Sequence, residues 1–153
     1  MNGRPAGSGS RPIPVEEAEA HLLRLLELAP PDGIVAVYVF GSTVWDSPNR
    51  ERDLDIGFLL DRAVYPTRLD RSKFRVRLTG DIMAELGSNR IDVVILNDAP
   101  PGLGRAVIRT GRPIAIVDPE GHHAFVRDVQ LRAADLDPFL ERMRSIKLEA
   151  LRP

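Results

Sequence analysis

Two short features of the sequence carry groups suited to chemistry on phosphates. A Gly41-Ser42 pair ends an apolar run, and after ten further residues Asp53 and Asp55 open a second one. Side chains two positions apart on a strand lie on the same face, so the two carboxylates are expected to point the same way. A Gly-Ser turn at a strand end presents backbone N–H groups that suit phosphate oxygens. The stretch therefore predicts phosphates and a cation held side by side.

A third isolated carboxylate, Asp92, enters another apolar run at residues 90–96. A charge that enters a buried strand is costly unless it is paired or bound to a metal. Three carboxylates at strand ends form a hard-oxygen ligand set that suits Mg²⁺. Two such ions, ~3.5–4 Å apart, can clamp the attacking and leaving oxygens of an in-line displacement. Taken alone, an Asp-x-Asp pair is more often two solvated acids at a strand entrance, and Gly41-Ser42 and Asp92 favour the ligand interpretation.

The elements that would position these residues alternate along the chain. Apolar residues at helical spacing, with capping and Pro signals, predict helices over 14–29, 67–86 and 100–110, and two more starting at Asp118-Pro119 and Asp137-Pro138. Short apolar runs predict strands at 34–40, 53–60, 90–96 and 113–117. Because helices and strands alternate and the strands are apolar on both faces, we expect a small α/β or α+β sheet domain.

Composition limits the classes of function. The 153 residues suffice for one domain, which we place at 13–153, while residues 1–12 are rich in Gly, Ser and Pro and are expected to be disordered. The net charge of −1 offers no global field toward nucleic acid or an anionic membrane, and neither is expected as a partner. The chain has no cysteine, which fits a reducing cytoplasm, and no apolar run of membrane-spanning length.

The order and spacing of Gly41-Ser42, Asp53-Leu54-Asp55 and Asp92 resemble the signature of the nucleotidyltransferases of the DNA polymerase β superfamily. The minimal, MNT-type members are more similar still. In them the third Asp is followed by a run like LNDAPP at residues 96–101, then a short helix and a Gly before an apolar strand, as at Gly111. The resemblance covers residues 15–120 well and the C-terminal helices only loosely.

The resemblance implies an α+β fold, the polymerase β-like nucleotidyltransferase fold, with a small mixed β-sheet flanked by helices. It also implies a Mg²⁺-dependent enzyme that uses ATP. It implies that Gly41 and Ser42 bind the triphosphate. Asp53 and Asp55 would hold two Mg²⁺ ions, while Asp92 would complete the site of the catalytic ion and take the proton of the acceptor. Many MNT-type proteins are antitoxins of HEPN-type toxins, so the implied reaction transfers AMP to a tyrosine hydroxyl of a separately encoded HEPN toxin.

Three points stay open at this stage. The residue before the first Asp is commonly Ser in this family and is Arg52 here, which either contacts the carboxylates or the triphosphate or is an outward loop charge. A basic run between residues 62 and 77 is interpreted as a solvated helix face, with partner docking or triphosphate contact as alternatives. Two alternative functions also remain open. One is a small-molecule nucleotidyltransferase of the aminoglycoside type, and the other is an antitoxin that inhibits its toxin by binding alone.

Overall fold

The computed structural model describes residues 13–28, 31–41 and 53–150. The helices are α1 (Val15–Leu28), α2 (Arg68–Leu86), α3 (Pro101–Thr110) and α4 (Pro119–Ala150). The strands are β1 (Ile34–Phe40), β2 (Leu54–Leu60), β3 (Ile91–Ile95) and β4 (Arg112–Ile116), with a 3-10 turn at Leu96–Asp98 after β3. The tail predicted to be disordered, residues 1–12, lies outside this part of the chain.

The strands form one mixed sheet, as predicted, in the order β3-β2-β1-β4. β1 pairs antiparallel with β2 and β4, whereas β2 and β3 are parallel. Parallel neighbours need a long crossover, and α2 provides it between β2 and β3. All seven residues of β1 are buried, in agreement with the apolar character of this strand on both faces.

The two faces of the sheet bury separate cores. Ile56 and Phe58 belong to the core formed with α1 and α2, which also contains Phe74 of α2. Tyr38 and Phe40 belong to the core on the opposite face, formed with α3 and the first half of α4. Within the described ranges, no helix is long and apolar enough to cross a membrane.

The end of β2 is tied to the turn after β3 by one asparagine. The Asn97 side chain accepts a hydrogen bond from the Leu60 N–H at 2.8 Å and donates one to the Leu60 carbonyl at 2.7 Å. A side-chain amide that satisfies both backbone groups of one residue acts as a substitute for a strand partner. The contact therefore helps to fix β2 and β3 lengthwise against each other.

Helix α2 begins and ends with recognisable caps. Thr67 and Asp70 form a capping box at its start, and Gly87, with φ of 61°, ends it in the left-handed conformation. One residue of the basic run does not lie on a solvated face. Arg71 is only 4% exposed, and its Nε and Nη2 donate to the two carboxylate oxygens of Asp98 at 2.9 and 2.7 Å.

The prediction of two helices after residue 118 was wrong, because α4 is continuous and contains Pro138. The Asp137-Pro138 pair has the local pattern of a helix start. Its carboxylate is instead bound by Arg105 of α3, with Nη1 to Oδ2 at 2.8 Å. The local pattern predicts that the Asp137 carboxylate caps a helix. In the structure it binds a residue of another helix instead.

Replacing Asp98 with alanine is expected to destabilise the protein by about 3 kcal/mol at neutral pH, because it leaves the Arg71 guanidinium buried without its charge partner. The hydrogen bonds from Arg71 hold the pKa of Asp98 below its ordinary value. The stabilisation is therefore present above the pKa of an unfolded aspartate and is lost as pH falls through the lower, folded value. Thermal unfolding should show a gap between wild type and variant of about 6–12 °C at pH 7. The assignment is contradicted if this difference in melting temperature does not narrow as the pH falls below about 3.9, the ordinary pKa of an aspartate.

Candidate active site

The centre of the candidate site is a pair of carboxylates on neighbouring parallel strands. Asp55 of β2 lies in register with Asp92 of β3. The residues flanking Asp55 along β2, Leu54 and Ile56, are buried in the core beneath the sheet. Because side chains alternate, Asp55 and Asp92 both point to the other face, which α3 and α4 partly cover. The sequence predicted that these two acids converge, and the strand register places them next to each other.

Asp55 is the less accessible member of this pair. Its side chain is half-buried, while Asp92 is exposed. Burial raises the pKa of Asp55, and the charges of Asp92 and then Asp53 raise it further. The two causes act in the same direction, since loss of hydration and repulsion by like charges both disfavour the ionised carboxylate. Bound cations would relieve this cost.

Asp53 lies just before β2 and has a cationic neighbour. Its Oδ1 is 3.6 Å from Nε of Arg90, which precedes β3. The backbone joins the same two segments, because the Leu54 N–H donates to the Arg90 carbonyl at 2.9 Å. Sequence reasoning did not identify Arg90 as a site residue. The available signal was an arginine two positions before an isolated Asp at a strand entrance.

Gly41 is held against the carboxylate of Asp55. Its φ is +83°, a conformation that L side chains rarely adopt, and an added Cβ would lie 2.0 Å from Oδ2 of Asp55. The contact follows from the sheet, since Phe40, the last residue of β1, is in register with Asp55. Glycine is therefore required here both for backbone conformation and for space. The predicted phosphate-binding glycine is thus next to the predicted metal ligand.

The rest of the predicted phosphate-binding segment lies outside the described residues. This applies to Ser42 and to Arg52, together with the spacer at 43–52. The binding of phosphate by Ser42 remains a prediction from the sequence, as do the alternative roles of Arg52.

The three carboxylates share one neighbourhood but do not enclose a common point. Among the residues that the structure describes, no group of three or more His, Cys, Asp or Glu side chains is arranged to hold a metal ion. Unscreened like charges repel, and Asp53 has the cationic Arg90 at 3.6 Å as a neighbour.

A histidine and a tyrosine pack beside the site on the same sheet face. Tyr38 is in register with Gly57, which lies two residues after Asp55 on β2 and therefore on the same face of the sheet. The His122 ring of α4 stacks on Tyr38 with centroids 5.8 Å apart, and its Nε2 hydrogen bonds to the Tyr38 hydroxyl. Burial and then the neighbouring His123 lower the pKa of His122. The pair attaches the start of α4 to β1.

Most of this chain is similar to a known protein family. The family model of the polymerase beta nucleotidyltransferases matches residues 26–120. No curated protein sequence matches the chain.

Solved structures share the fold at low sequence identity. One is a toxin–antitoxin complex with AMP-PNP, at 20% identity and a TM-score of 0.60, covering 84% of this chain and 98% of that chain. Another is a tri-AMPylated Shewanella oneidensis HEPN toxin in complex with an MNT antitoxin, at 18% identity and a TM-score of 0.57, covering 89% of this chain and 97% of that chain. A mutant of the MntA–HpeT toxin–antitoxin complex gives 17% identity and a TM-score of 0.62, with 84% and 98% covered.

Replacing Gly41 with alanine is expected to lower the free energy of unfolding by about 1–3 kcal/mol, because the new Cβ collides with Asp55 and the positive φ is strained. Gly80, which lies exposed within α2 and has nothing within 4 Å of an added Cβ, provides the matched control. Gly80→Ala should raise stability by about 0.5–1 kcal/mol through helix propensity. Urea unfolding of both variants tests the contact, and a Gly41→Ala protein as stable as wild type would refute it.

Replacing Asp55 with asparagine is expected to raise the stability of the ligand-free protein at pH 7 by roughly 0.5–1 kcal/mol, because it removes a charge opposite Asp92. The sign follows from the raised pKa. Such a group favours the fold below the unfolded pKa and loses that contribution as pH rises through the folded value. The difference in melting temperature between variant and wild type should therefore shrink toward acid. A variant less stable than wild type at pH 7 argues against repulsion at this site.

Proposed function

This chain belongs to the polymerase beta nucleotidyltransferase family, and we propose that it transfers AMP from ATP to a hydroxyl group of a partner protein. The observation that carries the proposal is the in-register pair Asp55 and Asp92, with Gly41 packed against the first carboxylate. The backbone proposed to bind phosphate and the oxygens proposed to bind cations therefore lie at the same end of β2. That juxtaposition is what transfer of a nucleotidyl group requires.

The side chains fit Mg²⁺ by chemistry. Asp53, Asp55 and Asp92 supply only carboxylate oxygens, the ligands that Mg²⁺ prefers, and the raised pKa of Asp55 reflects a local excess of negative charge. When bound by these residues, Mg²⁺ would neutralise charge on the triphosphate and lower the pKa of the acceptor hydroxyl. We propose two ions, because a two-metal arrangement can stabilise both the attacking and the leaving oxygen of an in-line displacement.

In the proposed reaction, Gly41 and Ser42 orient the triphosphate through backbone N–H groups. The acceptor hydroxyl forms a bond to the α-phosphorus, the bond from that phosphorus to the bridging oxygen breaks, and pyrophosphate leaves. Asp92 takes the hydroxyl proton, because it is the more exposed of the two paired carboxylates and therefore the more accessible to an acceptor. The protein contributes mainly positioning and electrostatics.

We propose that the acceptor is a tyrosine hydroxyl of a HEPN-type toxin and that the chain acts as its antitoxin in the cytoplasm, where ATP is supplied. The supporting likeness is to the MNT antitoxin bound to a tri-AMPylated HEPN toxin, and to the toxin–antitoxin complex with AMP-PNP. A protein acceptor also fits a small domain, because a large substrate brings its own binding surface. We place the catalytic domain at residues 13–153.

The proposal is tested by incubating the protein with its cognate toxin, ATP and Mg²⁺ and measuring intact masses. We expect one or more AMP additions to the toxin. Asp53→Ala, Asp55→Ala and Asp92→Ala should each reduce the rate of AMP transfer by at least about 100-fold. Each removes a carboxylate that we propose binds Mg²⁺ beside the reacting phosphate. Asp81→Ala, on the exposed side of α2 away from the site, is the control and should leave the rate unchanged.

Two outcomes of this assay would contradict the proposal. A toxin that is neutralised without any change of mass, equally by wild type and by the three variants, would identify an antitoxin that inhibits by binding alone. AMP transfer to an aminoglycoside and not to the toxin would identify a small-molecule nucleotidyltransferase. Replacing ATP with the other three nucleotides in the same assay tests the choice of base.

A further inference from the structure

The second half of α4 carries an apolar seam that nothing in the described part of the chain covers. Val129 and Ala133 are the last buried residues of the helix. From residue 134 to 150 only Asp137, which is bound to Arg105, is partly shielded. The helix nevertheless continues for about three and a half turns beyond this anchor, to Ala150, each residue rising about 1.5 Å.

Five apolar residues of this segment follow a heptad pattern, while Leu140 and Leu148 lie outside it at positions e and f. Leu136, Phe139, Met143, Ile146 and Ala150 are separated by alternating steps of three and four residues. Written as a heptad, they occupy positions a, d, a, d and a. The three central side chains are 57%, 50% and 54% exposed. Such a seam is the pattern of a helix that pairs with another helix along its length.

We propose that this seam, residues 136–150 of α4, pairs antiparallel with the same seam of a second copy of the chain. In an antiparallel pair, an a residue of one helix meets a d residue of the other. Aligning Met143 with Ile146 of the second copy also aligns Phe139 with Ala150. The largest side chain of the seam then faces the smallest, so every layer holds a comparable volume.

The charges that flank the seam are complementary to themselves in this orientation. Arg142 and Glu149 both occupy position g, and antiparallel helices bring g residues of the two copies together. In the alignment above, Arg142 of each copy lies beside Glu149 of the other, which gives two opposite-charge pairs. A parallel pair would instead place Arg142 beside Lys147 of the second copy, a like-charge contact. The flanking charges therefore favour the antiparallel dimer and oppose the parallel one.

The anchor of the helix leaves the seam accessible. Asp137 occupies position b, on the side of the helix away from the seam, and its contact with Arg105 fixes α4 to α3 at the point where the seam begins. The overlap of residues 139–150 spans about 18 Å. An interface of this length supports a weak dimer, which places the two catalytic sheets at opposite ends of the helix pair. The inference concerns assembly and does not depend on the reaction proposed above.

Sedimentation velocity of the full chain over a concentration series tests the proposal. Wild type should convert from monomer to dimer between about 10 and 200 μM. Ile146→Glu, which places a charge in the seam, should raise the dimer dissociation constant at least tenfold, about 1.4 kcal/mol. Leu148→Glu is the matched control, because Leu148 is 67% exposed but lies at position f, opposite the seam. It should dimerise like wild type.

Exchanging the charges at positions 142 and 149 distinguishes pairing of the seam with a second copy of the chain from pairing with another protein. Arg142→Glu and Glu149→Arg should each weaken dimerisation, since each places like charges together twice across the two-fold axis. The double variant Arg142→Glu/Glu149→Arg should recover wild-type dimerisation, because the pairs reform with reversed signs. Circular dichroism of each variant verifies that α4 remains helical.

Each other outcome overturns the proposal. A wild-type chain that is monomeric at 200 μM (roughly the upper limit of the series) has no self-pairing seam. If such a monomer binds the toxin and Ile146→Glu abolishes that binding, the seam belongs to the toxin. Dimers that resist Ile146→Glu use another surface, and a double variant as weak as the single ones rejects the antiparallel alignment.

Discussion

The structure depends on the placement of two like charges, Asp55 and Asp92, side by side on adjacent parallel strands. This contact is unfavourable by itself, as the raised pKa of Asp55 shows. It is maintained because the residues alternating with the acids, such as Ile56 and Val93, are buried in the core beneath the sheet. Hydrophobic burial on one face therefore stabilises a charge arrangement on the other, and a bound cation or protonation of Asp55 would relieve the repulsion.

The other elements can be understood as the means of holding this register. Helix α2 makes the parallel crossover, and the Arg71–Asp98 pair ties it to the turn that follows β3. Asn97 in that turn binds both backbone groups of Leu60 at the end of β2. At the opposite end of β2, β1 delivers Gly41 directly onto Asp55. Sliding either strand by one residue would turn the acids into the core, so register and site are a single constraint.

The strands and the pairing of acids could be predicted from the sequence. The contacts of Arg71, Asp137 and Arg90 could not, and for one physical reason. The strands were predicted to within one residue at each end because they are short apolar runs between Gly, Pro and polar residues. Local rules failed at Arg71 and Asp137, whose partners are 27 and 32 residues away along the chain. Arg90 was missed because its contact with Asp53 exists only once β2 and β3 are paired. Long-range pairing is not encoded in local spacing.

The most direct test of the central claim is the binding of Mn²⁺, a paramagnetic probe for the proposed Mg²⁺ site, measured by electron paramagnetic resonance with AMP-PNP present. If Asp55 and Asp92 form one ligand site, Asp55→Asn and Asp92→Asn should each weaken Mn²⁺ binding by at least about tenfold. The double variant should then bind little more weakly than either single one, because both remove the same site. Undiminished Mn²⁺ binding by the double variant would contradict the account.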